Sequence, residues 1–424
     1  MPSRAWFVFG TFALSVLLYV DRACISAAKD SIVGELSLTD KQWAWVLGAF
    51  SLGYAVFQTP GGWFADKYGP RRLLTAIVVL WSVFTGLTGA AFNYASLLAA
   101  RLAFGAGEAG AFPGMARAAF SWIPMQERGL VQGINFSGSR LGAALALPGV
   151  AWLLQTLGWR ASFAVLMVVG IGWAVFWWLW FRDEPEQNRS VTPAELAYIQ
   201  ASRQQSGSVG VADGRPITTG DLMRSGRVGL LCLQYFASNF TFFFCLTHWF
   251  PHLKTKFDLG SVEAGWYASA PLVAGAIGNW FSGWLIDRLY RGGAWKLSRQ
   301  VPAAAGFALA TLGVLMSMQQ TEVFSAVAWF CLAIFGADMT LAPSWSFCMD
   351  IGKRHSGVVS GTMNMAGNVG GFLTTLAYAY LKDWSGATST FFYVAAGLNL
   401  VAVVCWLQLD PRSPLLDEPA EVSQ

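Results

Sequence analysis

Two acid–base couples stand inside segments that otherwise read as lipid-soluble. Asp21 and Arg22 are adjacent in 17-LLYVDRACISAA-28, and Arg101 and Glu108 lie seven apart in 101-RLAFGAGEAGAFPG-114. Each charge costs about 2.5–3.5 kcal/mol at the centre of an inserted helix, and ionisable residues kept there mark ion or substrate pathways. Neighbours on a helix point about 100° apart, so Asp21 and Arg22 are not each other's main partner. Residues seven apart share a face, roughly 10 Å apart along the axis. The four side chains are therefore expected to form one interhelical cluster that satisfies all of them. In a low-dielectric cavity an acid can carry a proton, while an arginine stays charged and binds a carboxylate bidentately. The bland alternative is a structural cluster, although buried ion pairs are an expensive way to hold helices together.

The elements that must position these residues follow from composition. The chain has 424 residues, 55% hydrophobic, 15% aromatic and 12% charged, which is the balance of an integral membrane protein. Apolar runs give twelve spans, near 5–27, 42–64, 73–91, 94–119, 129–155, 160–181, 227–249, 263–286, 300–318, 324–349, 358–381 and 389–408. The first lacks a small-residue cleavage site and reads as a retained span. Eighteen of the 28 Lys and Arg fall in the terminus and loops on one side, six fall on the other side, and four (Arg22, Arg101, Arg117, Arg140) lie within spans. The positive-inside rule then puts both termini in the cytoplasm, and the basic residues are topology signals with no nucleic-acid surface. Six-span bundles at 1–181 and 227–409, a charged Gly- and Ser-containing cytoplasmic linker at 182–226 and a tail at 410–424 complete the organisation. Within the linker, 192-TPAEL-196 predicts a short helix capped by Thr192.

The two bundles echo each other. 62-GWFADK-67 recurs as 283-GWLIDR-288 at an offset of 221, and 129-GLVQGINFSGSRLG-142 recurs as 357-GVVSGTMNMAGNVG-370 at an offset of 228. A six-span duplication with the same topology in both copies is the pattern of rocking transporters with a site between the halves. Gly62, Asp66, Lys67, Arg71, Arg72, Asp287 and Arg288 are the expected cytoplasmic gate, an acid at one helix end facing basic residues across a tight turn. Plain positive-inside anchoring is the alternative, and the glycines serve close helix contact in either case.

The segment 61-GGWFADKYGPRR-72 with its copy at 283–288 resembles the loop signature of the major facilitator superfamily. Within it, VDRA at 20–23, RLAFGAGEAGAFPG at 101–114, WIPMQERG at 122–129 and SGTMNMAGNVGGF at 360–372 resemble the anion:cation symporter family over nearly the whole chain. That family includes proton-coupled bacterial transporters of sugar acids such as D-galactonate, and the sialin and vesicular glutamate transporters. The resemblance implies an all-α major facilitator fold of twelve transmembrane helices in two six-helix bundles. It implies Asp21 and Glu108 as proton-coupling acids, Arg22 as the substrate carboxylate's ligand, and Arg101 as the ion-pair partner that senses the acids. It also implies Tyr54, Asn364, Ser344 and Trp345 beside the substrate, and Ser139 where the galactonate carrier has a longer amide.

Other residues stay open on their own chemistry. Tyr54 reads equally as aromatic packing, and Asn364 and Asn368 as helix-to-helix amides. Arg140 is expected either to neutralise Glu108 or to meet the second carboxylate of a diacid; Asp338 either satisfies span-ten backbone or a neighbouring helix near Pro343, or is a third acid in the proton path. Arg117 reads as an inner-gate or snorkelling residue. The histidines are interfacial or solvated, the six cysteines small buried hydrophobes, and 173-WAVFWWLWF-181 a lipid-facing aromatic belt. Walker, zinc and nucleophile-elbow patterns are missing, so neither an enzyme nor a metal or organic cofactor is expected, only the proton as coupling ion. The reading is a monomeric plasma-membrane symporter importing a small organic anion, preferably an aldonate, uronate or aldarate, with protons. A proton-independent uniporter or exchanger, a sugar-acid sensor and a membrane-embedded enzyme are its rivals.

Overall fold

The computed structural model describes residues 2–203, 217–413 and 415, without the side chains of 145–148, 219, 261 and 262. Among them there is no strand, and the chain is a succession of helices. The first half comprises α1 (Ser3–Ala27), α2 (Lys29–Leu36), α3 (Asp40–Tyr68), α4 (Pro70–Gly89), α5 (Tyr94–Glu108), α6 (Ala111–Trp122) and α7 (Arg128–Trp180). Linker helices α8 (Pro193–Ser202) and α9 (Thr219–Arg224) follow. The second half comprises α10 (Gly226–Thr247), α11 (Trp249–Phe257), α12 (Ser261–Arg291), α13 (Trp295–Gln319), α14 (Val323–Met339), α15 (Leu341–Gly352), α16 (Ser356–Ser385) and α17 (Ser389–Gln408). Two features reduce these helices to twelve spans. Gly158 breaks α7 into two with a left-handed φ of 77°, a turn made by one residue that needs no Cβ. Spans four and ten are each split, at 109–110 and at Thr340, into α5/α6 and α14/α15.

Windows apolar enough to cross a membrane unaided occur in α1, α4, the second part of α7, α10, α13, the α14–α16 stretch and α17. The remaining spans, α3, α5/α6, the first part of α7 and α12, carry amides, glycines and charges, and α3, α6, α7 and α12 pack against the other half. The 173–181 segment departs from the expected lipid-facing belt. Trp173, Trp177 and Phe181 are buried, Trp173 Nε1 donates to the Gly10 carbonyl at 2.9 Å, and Phe7 packs on Trp177 and Phe181. Only Trp178 and its neighbours on the other helix face are left to lipid. In the linker, Thr192 Oγ1 caps α8 by accepting from Glu195 N, and Glu195 in turn accepts from the backbone N–H of Ser3 and Arg4 at the start of α1.

The duplicated motifs meet each other. Asp66 Oδ1 and Oδ2 accept from Gly357 N at 2.9 Å and Val358 N at 2.8 Å, at the N-terminus of α16. Asp287 Oδ1 and Oδ2 accept from Gly129 N at 2.9 Å and Leu130 N at 3.0 Å, at the N-terminus of α7. Each copy of the GW-x-x-D motif thus caps the helix start given by the other repeat in the opposite half, an arrangement favoured by unpaired N–H groups and by the helix dipole. The glycines permit it. A Cβ on Gly62 would lie 2.1 Å from Gly357 O, and one on Gly283 2.6 Å from Gly129 O. One step deeper, Thr59 approaches Met365 Sδ at 3.7 Å while Trp280 Nε1 donates to Ser137 Oγ at 2.7 Å, again at the offsets of 221 and 228.

The expected gate needs one correction. Lys67, Arg72 and Arg288 are exposed, and Lys67 and Arg288 lie over Trp63 and Trp284 of their own helices. Arg71 donates to Trp178 O and, through its backbone N–H, to Asp183, inside its own half. The acids reach backbone amides before any loop cation, because the glycine contacts bring the helix starts directly onto them. The buried cations of this latch are others. Arg117, partly buried, sits 3.9 Å from Asp66, and Asp350 holds Arg128 at 3.0 Å across the halves and Arg299 at 2.8 Å within its own, with Asp350, Arg128 and Arg299 fully buried. Replacing Asp350 by Asn leaves Arg128 and Arg299 buried with no carboxylate between them. A loss of about 3–5 kcal/mol is expected, read as a fall in thermal unfolding temperature of the purified protein in detergent.

Candidate functional site

The site lies where α1, α3, α5 and α7 of the first half meet α10, α14, α15 and α16 of the second. Arg22 on α1 donates from Nε to Glu108 Oε1 at 2.8 Å, with Nη2 bonded to the same oxygen. Its guanidinium lies 4.5 Å from the ring centre of Tyr54, 5.0 Å from Tyr19 and 5.1 Å from Phe50. These rings offer their negative faces and exclude water, which strengthens the pair. Glu108 is fully buried at the last position of α5, and its Oε2 has no hydrogen-bond partner. A carboxylate at a helix C-terminus opposes the macrodipole, so Arg22 supplies compensation that α5 itself cannot.

The expected four-membered cluster forms only in part. Arg101 is 3% exposed, yet among the described residues no carboxylate lies within ion-pair distance, its Nε is unpartnered, and Phe104 and Phe50 flank its guanidinium at 4.7 and 5.1 Å. Asp21 is buried with Trp81, Arg101 and Glu108 around it and makes no ion pair. Sharing a helix face leaves Arg101 and Glu108 two turns apart along α5, and the rings of Phe50 and Phe104 meet the Arg101 guanidinium in place of a carboxylate. One pair is closed, and one acid and one base stand ready beside it.

Below this level an aromatic layer separates the site from the linker face. Phe112 and Phe136 stack at 5.3 Å, and Trp345 from the second half lies 5.8 and 5.3 Å from them. Trp345 Nε1 donates to Tyr235 Oη at 2.9 Å. Asn364 Nδ2 donates across the halves to Gln58 Oε1 at 2.8 Å, and Asn368 Nδ2 donates to the Asn364 carbonyl. Ser139 is buried with an unpartnered Oγ. Tyr54, Ser139, Trp345 and Asn364 are thus brought to the junction of the halves. Ser344 is a correction, because its Oγ donates to Thr340 O at 2.6 Å and lies 3.3 Å from Gln234 Oε1, which also accepts from Trp406. The break at Thr340 turns Ser344 toward α10 and α17, inside its own bundle.

Arg140 and Asp338, open in the sequence, are partners. Arg140 Nε donates to Asp338 Oδ2 at 2.7 Å and Nη2 to Oδ1 at 2.5 Å, and Phe242 covers the guanidinium at 3.5 Å. Arg140 therefore does not neutralise Glu108, and of the two structural roles expected of Asp338 it satisfies a neighbouring helix, α7, and not span-ten backbone. That duty falls to Ser282, whose Oγ donates at 2.6 Å to Met339 O, the carbonyl that Pro343 cannot bond. The histidines stay apart from this layer. His252 meets Tyr378 Oη at 3.1 Å, and burial together with Lys256 and Lys382 pushes its pKa down to about 4. Gln58 and the Arg128–Asp350–Arg299 group are the functional residues that motif reading passed over. Gln58 had a signal, since it lies 221 positions before Asn279, which packs on Gly133 as Gln58 packs on Gly361.

Two pseudo-symmetric helical bundles, latched together at one face around a buried charged layer with broken helices, have the architecture of membrane transporters built from two repeats. The chain belongs to the Major Facilitator Superfamily, whose family model matches residues 11–375. It is 32% identical over 420 residues to the probable sulfoacetate transporter SauU of Cupriavidus necator, covering 98% of this chain and 95% of that one. It is 30% identical over 421 residues to the probable galactarate/D-glucarate transporter GudP of Bacillus subtilis, covering 95% and 90%. Among solved structures, the transporter FucP in its outward conformation superposes with a TM-score of 0.70 at 15% identity over 94% of this chain and 97% of that one.

The Arg22–Glu108 pair is testable as a unit. Arg22→Gln and Glu108→Gln each strand one buried charge, whereas the double variant strands none. A coupling energy on the order of 1–3 kcal/mol is expected from the thermal stabilities of the four proteins.

Proposed function

We propose that the chain is a proton-coupled symporter that imports a small organic anion, preferably a sugar acid, by alternating access. The observation that carries this reading is the state of Arg22: Nε and Nη2 are committed to Glu108 while Nη1 has no partner among the described residues, and Asp21, without an ion pair, lies close to Glu108. A substrate carboxylate on the free Nη1 side of Arg22 places two negative charges on one guanidinium. A proton on Glu108 relieves that repulsion, so anion and proton occupy the site together. Asp21, with Arg101 alongside, is the second proton-coupling acid on this reading. Tyr54, Ser139, Trp345 and Asn364 supply the aromatic faces, hydroxyl and amide that suit a hydroxylated tail. The names of the sulfoacetate and galactarate/D-glucarate relatives support an organic anion as cargo.

On the same reading the linker face and both termini are cytoplasmic, and the latched conformation is the one open to the outside. Crossing Asp66 and Asp287 to opposite helix starts closes the inner face, and releasing them opens it. Uptake into proteoliposomes tests the reading with a panel of galactonate, gluconate, glucuronate, glucarate, sulfoacetate, lactate and phthalate, with and without an inside-alkaline gradient. Gradient-driven accumulation of one anion is expected, lost in Glu108→Gln while counterflow exchange survives. Transport that ignores the gradient in both proteins would instead make the chain a uniporter or exchanger.

A further inference from the structure

We propose that Arg140 is a second anion-binding residue and that the substrate is a small dianion, one acidic group on Arg22 and the other on Arg140. This rests on the organic-anion reading of the site and deepens it.

The first observation is that Asp338 is the repeat counterpart of Glu108. Aligning 101-RLAFGAGEAGAFPG-114 with 331-CLAIFGADMTLAPS-344 at an offset of 230 matches the Leu-Ala pair, the acid and the proline five residues later. Both acids stand in the last turn before the break of a split span, Glu108 at the end of α5 and Asp338 one residue before the end of α14. Each holds one arginine of the first half, Arg22 on α1 or Arg140 on α7.

The second observation is how each arginine is held. In both, Nε and Nη2 face the protein's acid, and Nη1 is left without a hydrogen bond. Guanidinium has five donors in a planar fork, so one acid on the Nε side leaves the far end of the fork presented to another. An arginine that served only to neutralise its acid has no need to keep that end clear in a buried layer.

The third is placement. Arg22 and Arg140 belong to the same half on helices that pack closely, since a Cβ on Gly142 of α7 would lie 3.3 Å from Tyr19 Cβ. Tyr19 lies 5.0 Å from the Arg22 guanidinium and within electrostatic reach of Arg140, as is Tyr235 of the second half. The two free forks are therefore linked through Tyr19 within one half, on helices in direct contact. A monoanion leaves one fork without an acid, whereas a dianion meets both. Specificity here is the difference between those two outcomes.

The test is a comparison of matched probes in proteoliposomes. Glucarate and gluconate share a six-carbon hydroxylated chain and differ in one carboxylate; sulfoacetate and methylsulfonylacetate are similar in size and differ in one charge. The half-saturation concentration of each is measured for wild type, Arg140→Lys and the charge-neutral pair Arg140→Gln/Asp338→Asn, which leaves no stranded charge and so protects folding. Wild type is expected to prefer the dianion of at least one pair by about tenfold or more. The double variant should weaken that dianion by about a hundredfold and the matching monoanion by less than about threefold, as the loss of one charged bidentate contact implies. Arg140→Lys should fall between the two. Equal weakening of both members, or no change in either, would overturn the proposal and leave Arg140–Asp338 as a tether between the halves. If wild type transports no probe of either pair or of the wider panel, the organic-anion reading itself falls.

Discussion

A guanidinium taken out of water must be met by a carboxylate, and this rule organises the molecule from its centre to its closed face. Arg22, Arg128, Arg140 and Arg299 are each matched to an acid that reaches them from a different helix. Such pairs are poor glue compared with apolar packing, since desolvation removes most of the Coulombic gain. Their value lies in being conditional. A pair that bridges two bodies, as Arg128–Asp350 and Arg140–Asp338 do, holds only while the bodies keep one relative position. A pair beside an unpaired acid and an unpaired arginine, as Arg22–Glu108 is, can be re-sorted when a new charge arrives. Arg101 is the exception, held by two aromatic faces and no acid.

The closed face works by a different economy. Asp66 and Asp287 meet backbone N–H groups, which the helix starts expose in any case. Nothing has to be unpaired inside a helix for the latch to open, and the bonds lost there can be replaced by water. The glycines set how near the helices come, and the exposed Lys67, Arg72 and Arg288 are left free to interact with lipid headgroups or solvent.

Much of this was legible in the sequence, for a physical reason. Asp21, Arg22, Arg101 and Glu108 stand out because a charge in an apolar run is expensive, and the duplicated motifs stand out because their spacing repeats. Pairing was far less legible. Arg101 shares a face with Glu108 yet has no acid, because Phe50 from another helix decides its surroundings. Ser344 turns inward because a one-residue break at Thr340 changes the helix face that periodicity would assign. Arg128 and Arg299 look like topology signals near loops, and only packing reveals that both are fully buried on Asp350. The Arg140–Asp338 pair had a sequence signal, the offset of 230 that makes Asp338 the twin of Glu108, but the arginine it binds could be told only from the fold.

The crossed latch has the form of an isologous contact, in which one patch meets its own copy about a two-fold axis. In a dimer of identical six-span units, a single substitution to Asp at the position of Asp66 and Asp287 would have created both caps at once, doubling the effect of one change. The charged layer no longer obeys that axis. Glu108 takes an arginine from its own half, Asp338 takes one from the other, and the position equivalent to Arg140 is Asn368. The crossed caps thus keep a two-fold symmetry that the charged layer lacks, so the surroundings of the layer differ at its two ends.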